Sequence, residues 1–156
     1  MGSVRFGIPR ELALALKAKH GTDYFVETGT SAGDTTRWAA VNFKKVDTVD
    51  NQPGILGWGN VTSYRGDSAE FLEQHPMASS ALFWLDAHTN ESCPVLREIA
   101  AINKSPLRHV ILVDDVRLFG QMPAWPTLGT VIKELVDGGR RSIYVEDDVI
   151  VAEPCP

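Results

Sequence analysis

Two short runs, Leu82-Phe83-Trp84-Leu85 and Val110-Ile111-Leu112-Val113, constrain this chain more than any other feature. A strand that is apolar at every position has no face to offer water, so it belongs inside a sheet covered on both sides. Such sheets are parallel, and parallel neighbours need crossover connections, usually helices. The rest of the sequence supplies them in alternation. Tyr24-Phe25-Val26 reads as a strand and Thr35 to Asn42 as the helix that follows it. Lys45 to Asp50 and Val61 to Arg65 read as two more strands. Between those two, Gln52 to Asn60 carries Pro53 and several glycines, so any helix there is short or distorted. Ser68 to His75, with a capping serine, Val95 to Asn103 and Leu128 to Val136 have helical spacing. The fifth strand is expected over His109 to Val113. Ser142 to Val145 and Val149 to Val151 flank Glu146-Asp147-Asp148 and read as a terminal hairpin. An opening helix from Pro9-Arg10-Glu11 to His20-Gly21, bearing Leu12, Leu14 and Leu16, is expected to pack across the edge of the sheet. Alternation of this kind predicts an open α/β sheet with helices on both faces, and ligands then gather beyond the carboxyl ends of the strands.

Length and charge narrow the function classes. A chain of 156 residues, 44% hydrophobic, has the core for one domain, expected over 1–156, and no room for a second. Its 20 acidic and 15 basic side chains give a net charge of -5, with no Lys/Arg run to track phosphates, so nucleic acid is not an expected partner. No stretch approaches the ~18 apolar residues of a membrane span, and Met1 to Phe6 lacks the apolar run of a secretory leader. Cys93 and Cys155 are too far apart in sequence for a metal-type pair and too few for a disulfide framework, which fits reduced thiols and a cytoplasmic setting.

After the first strand comes Glu27-Thr28-Gly29-Thr30-Ser31-Ala32-Gly33. A glycine turn that opens a helix lets backbone approach a ligand and offers it free N–H groups. The spacing here places Ser31 where a dinucleotide fingerprint has its second glycine, so a pyrophosphate fits poorly. Glu27 would repel a phosphate but attract the cationic amino group of a methionine moiety. Asp50 ends the second strand about 20 residues past the turn, the interval at which an acid accepts from ribose hydroxyls. Gly66-Asp67-Ser68 follows the third strand and offers a carboxylate to an adenine amino group.

Taken together, V-E-T-G-T-S-A-G, V-D-T-V-D and R-G-D-S resemble the successive cofactor motifs of class I S-adenosylmethionine-dependent methyltransferases, over nearly the whole chain. The resemblance implies a Rossmann-like, seven-stranded, mostly parallel sheet closed by a C-terminal antiparallel hairpin. It implies S-adenosylmethionine as cofactor, with Glu27, Gly29 and Gly33 around its methionine end, Asp50 at the ribose and Asp67 at the adenine, and with Thr30, Ser31, Ser68 and Asp86 also among the cofactor contacts. The alternative is that these are ordinary strand-end turns of a non-enzymatic α/β domain.

Asp86 closes the fourth strand and Asp114-Asp115 the fifth, and adjacent parallel strands would gather all three over one sheet edge. Clustered carboxylates repel unless one is protonated or a cation sits among them, and an all-oxygen set suits Mg²⁺. The constellation resembles the metal-dependent O-methyltransferases of the macrocin and mycinamicin type, which implies Asp86, Asp114 and Asp115 as metal ligands. Those enzymes carry extra segments over the substrate that this chain lacks. His88, two residues beyond Asp86, is the candidate general base or further ligand, with Asp86 beside it at the reacting centre. The acids would otherwise only cap turns. Trp125, between prolines, reads as a wall of the acceptor pocket or as packing, Trp84 as core, and Trp58 as a surface for adenine or for a neighbouring subunit. The expected function is methylation of a small hydroxylated molecule, assisted by a divalent ion, in a chain that completes its pocket as a homo-oligomer. The rivals are a metal-independent N- or O-methyltransferase, a cofactor-binding protein without turnover, and an NAD-dependent oxidoreductase.

Overall fold

In the computed structural model the described residues are 7–54 and 57–156. Met1 to Phe6, and Ile55 and Leu56 in the expected irregular stretch between the second and third strands, lie outside them. Seven strands form one sheet: β1 (Tyr24–Thr28), β2 (Lys45–Asp50), β3 (Val61–Arg65), β4 (Leu82–Leu85), β5 (Val110–Val113), β6 (Arg141–Glu146) and β7 (Val149–Pro154). Their spatial order is β3-β2-β1-β4-β5-β7-β6. The first five run parallel, and β7 pairs antiparallel with both β5 and β6. The helices are α1 (Arg10–His20), α2 (Asp34–Asn42), α3 (Ser68–Gln74), α4 (Val95–Asn103) and α5 (Leu128–Asp137).

Alternation along the buried strands divides the core into two layers. Val26, Phe83, Leu85, Ile111, Val113 and Ile150 face α3, α4 and α5, whose Phe71, Leu72, Ile99, Ile102, Val131 and Leu135 complete that layer. Phe25, Leu82, Trp84, Val110, Leu112 and Val151 face the other way, against Ala13 and Leu16 of α1 and Ala39 of α2. The opening helix therefore covers the middle of one face, where the sequence had suggested the sheet's edge.

Local chemistry sets the ends of the elements. Gly21 takes the left-handed conformation after α1 and returns its N–H to Lys17. The cap of α3 is Asp67, whose side chain accepts from the Glu70 N–H, rather than the expected Ser68, which is the first helical residue. The hairpin closes through a two-residue turn, with Asp147 and Asp148 both at positive φ and Glu146 paired to Val149, as the right-handed twist of the flanking strands requires. Among the described residues no helix forms between β2 and β3, and none is long and apolar enough to cross a membrane.

Candidate active site

Strand order reverses between β1 and β4, so the connections leaving these two strands part to opposite sides and open a crevice at their carboxyl ends. A cleft of about 670 Å³ lies there, lined by Gly29, Ser31, Asp50, Asp67, Ser68, Asp86 and His88, among others. Six of the residues expected to touch the cofactor thus converge from four separate strand ends. Asp50 ties the cleft to the glycine turn, accepting from the Ser31 N–H at 3.0 Å and the Gln52 N–H at 2.8 Å. Gly29, at φ +84°, passes so close to β4 that a Cβ there would lie 2.5 Å from the Asp86 carbonyl oxygen. The glycine is needed against the neighbouring strand end, whatever ligand lies above it.

Three of the expected contacts sit elsewhere. Glu27 is 1% exposed beneath the turn, where its carboxylate accepts from the hydroxyls of Thr36 and Thr48. Burial pushes it up to about 7. Its place in β1 turns it towards α2, so it braces the turn from below and does not face the cleft. Thr30 is also buried, with its hydroxyl 2.6 Å from that of Thr48. Gly33 caps α2 in the left-handed region and gives its N–H to Thr30. The carboxylate beside Gly29 that does face the cleft is Asp86.

The acids beyond β4 and β5 gather as the register predicts, but in a different grouping. His88 Nε2 lies 3.3 Å from Asp86 and 2.8 Å from Asp115. Asp115, a non-glycine residue at φ +60°, also pairs with Arg117 at 2.6 Å, and Arg117 pairs again with Asp148 of the hairpin turn. Among the described residues two sets have ligand atoms mutually within 4.8 Å: Asp86, His88 and Asp115, and Asp114, Asp115 and Asp148. The expected trio of Asp86, Asp114 and Asp115 does not form such a set by itself: Asp115 belongs to both sets, while Asp86 and Asp114 fall in different ones. The hydrogen bonds and charges of Asp86 and Asp115 raise the His88 imidazole above its ordinary range. Burial, with the charge of Asp86, pushes Asp114 up to about 7.

Trp125 serves as packing and is not among the residues that line the cleft. It is buried, its Nε1 donates to the Thr89 carbonyl at 2.9 Å, and its ring lies 4.6 Å from that of His88. It thereby joins the loops after β4 and β5. Trp84 is fully buried, as expected, and Trp58 is partly exposed in the loop before β3. Sequence reasoning missed Arg117 and Asp148, which only the return of the hairpin brings to the site, and Glu98 of α4. Glu98 had a visible signal, since Val95, Glu98, Ile99 and Ile102 form one buried stripe with an acid in the middle.

No protein-family model matches the chain, and a search of curated proteins gives no match. Solved structures do resemble it. The N-methyltransferase NodS from Bradyrhizobium japonicum, in complex with S-adenosylhomocysteine, superposes with a TM-score of 0.61 at 16% identity, covering 91% of this chain and 82% of that one. The O-methyltransferase TomG from Streptomyces achromogenes, in complex with S-adenosylmethionine, gives 0.62 at 15% identity, over 99% and 84%. The methyltransferase MycE of the mycinamycin biosynthetic pathway, in complex with Mg, S-adenosylhomocysteine and mycinamycin VI, gives 0.69 at 12% identity, over 98% of this chain but 50% of its own. At such identities the likeness speaks for architecture, and the architecture is the Rossmann-like fold of the S-adenosylmethionine-dependent methyltransferases.

Proposed function

We propose that this chain is an S-adenosylmethionine-dependent methyltransferase acting on a small hydroxylated acceptor, with a divalent cation assisting. The observation that carries the reading is the convergence of Gly29, Ser31, Asp50, Asp67, Ser68 and Asp86 on one cleft at the reversal of strand order. In this reading Asp50 accepts from the ribose hydroxyls, Asp67 from the adenine amino group, and Asp86 faces the methionine ammonium in place of the buried Glu27. His88 lines the same cleft and would stand beside the acceptor. His88, whose basicity the two aspartates increase, would take the proton of an acceptor hydroxyl held beside it, and the cofactor when bound would supply its methyl group to that oxygen and leave as S-adenosylhomocysteine. Holding the two reactants in that alignment accounts for up to ~7 to 11 kcal/mol of the barrier.

The residues present fit a divalent cation in part. Asp86, Asp115 and His88 would hold it, with Asp114 alongside, while Arg117 already neutralises Asp115 and Asp148. When bound, the ion would lower the pKa of a coordinated acceptor hydroxyl. Arg117 favours a second reading, methyl transfer without metal, in which His88 alone takes the proton. The loops over the cleft are short, and a second copy of the chain would cover the acceptor side.

Thermal denaturation with S-adenosylhomocysteine, NADH and EDTA tests the proposal. S-adenosylhomocysteine is expected to raise the Tm. Stabilisation by NADH alone would overturn the methyltransferase reading. A Tm and a methyl-transfer rate that EDTA and the Asp114→Asn, Asp115→Asn double variant both leave unchanged would remove the metal and keep the rest.

A further inference from the structure

Glu98 takes no part in the reaction as proposed, yet like Glu27 it is an acid held almost wholly out of water. It lies on the buried stripe of α4, 1% exposed, beneath the cleft. Its carboxyl accepts hydrogen bonds from Ser68 and Thr28, the first residue of α3 and the last of β1. Thr28 in turn holds the next strand end, because the Asp86 N–H donates to its carbonyl at 3.1 Å and reaches its hydroxyl at 3.3 Å. One side chain therefore fastens three walls of the cleft to a helix outside it. The other carboxyl oxygen, Oε1, is buried without a protein partner. Glu98 also lines a void of about 10 Å³ together with Asp86, Cys93, Asp114 and Trp125. A buried carboxyl oxygen left bare is costly, which marks Glu98 as held in place by its surroundings.

We propose that Glu98 is a positioning residue of the cofactor cleft, joining Thr28 and Ser68 to α4 through its carboxyl and holding Asp86 through Thr28. The inference rests on the methyltransferase reading only for the identity of the ligand in its test. Glu27 makes the corresponding connection on the opposite face, through Thr36 and Thr48, so the glycine turn is held between two buried glutamates.

The test compares Glu98→Gln, Glu98→Leu and Ile99→Ala in the full chain. Ile99 is fully buried on the same helix and touches none of the three walls through a hydrogen bond, so its truncation measures the loss of stability alone. Two readouts are taken: S-adenosylhomocysteine affinity by calorimetry, and hydrogen exchange of the Gly29 and Asp86 amides. Glu98→Leu is expected to weaken binding by ~10-fold or more and to speed exchange at both amides by a similar factor, about what the loss of one hydrogen-bonded anchor produces. Glu98→Gln, which keeps an acceptor for the two hydroxyls, is expected to restore both to within ~3-fold. Ile99→Ala should lower the Tm without changing either. Wild-type behaviour in Glu98→Leu, or equal changes in Ile99→Ala, would overturn the proposal. If the unsubstituted chain binds no S-adenosylhomocysteine, the cofactor reading fails, and the exchange rates still decide the role of Glu98.

Discussion

Replacing Glu27 by Gln should flatten the dependence of stability on pH. Burial lifts this carboxyl from an ordinary 4.5 to about 7, despite the two threonine hydroxyls that hold it. At a pH below 4.5 it is protonated both folded and unfolded and has no effect. Between 4.5 and 7 the unfolded chain releases the proton while the folded chain keeps it, so stability falls as pH rises; above 7 the penalty is complete and constant. At about 1.36 kcal/mol per pH unit, the gap between the two values amounts to on the order of 3 kcal/mol. The substituted amide has no proton to release, and it can still accept from one hydroxyl and donate to another. Glu98 and Asp114, also raised to about 7 by burial, titrate over the same window and remain in the variant. Urea unfolding of both proteins at about pH 5 and about pH 8 isolates the contribution of Glu27, because the other acids cancel in the difference. The variant should lose less stability across that interval, by on the order of 3 kcal/mol. An identical loss in the two proteins would mean that Glu27 is ionised in the folded state and that the turn stands on a charge.

Two further substitutions probe the frame of the cleft. Gly29→Ala meets both a left-handed backbone and the Asp86 carbonyl, so it should cost at least ~2 kcal/mol in urea unfolding and abolish the Tm rise with S-adenosylhomocysteine. Trp125→Phe keeps the ring against His88 but removes the hydrogen bond to the Thr89 carbonyl, and the same unfolding measurement should show a loss of about 1 kcal/mol.

The sheet was legible because its strands announce themselves twice. Leu82 to Leu85 and Val110 to Val113 are apolar on both faces, and β1, β3, β4, β5 and β6 are each followed by a helix or turn whose period differs from their own. Asp50, Asp67 and Asp86 were legible for the same reason, since each is fixed at a strand end and strand ends share an edge. What escaped was the direction of individual side chains. Glu27 precedes a glycine turn, as a ligand contact would, yet strand parity points it at Thr36 and Thr48. Asp114 and Asp115 lie in one group with Asp148, and Asp115 alone also joins Asp86 and His88; nothing in a non-glycine residue signals its positive φ beforehand. Asp148 reaches Arg117 only because β7 turns the hairpin back over β5, a relation of 31 positions that no local pattern carries.

The placement of β7 bears on the order in which this chain can be assembled as it is synthesised. Each of β2, β3, β4 and β5 pairs with a strand already made, so the parallel part of the sheet can grow as it emerges from the ribosome. The outer side of β5 is different. Its partner is β7, which comes after β6, and β6 has no neighbour except β7. From the completion of β5 until Val149 to Ala152 arrive, an apolar strand presents a row of unpaired backbone groups, the template on which chains pair wrongly. The two-residue Asp147-Asp148 turn shortens that interval, because β7 needs only to fold back on β6 for the hairpin to dock as a unit. Fast closure of a surface turn thus guards the interior of the nascent sheet.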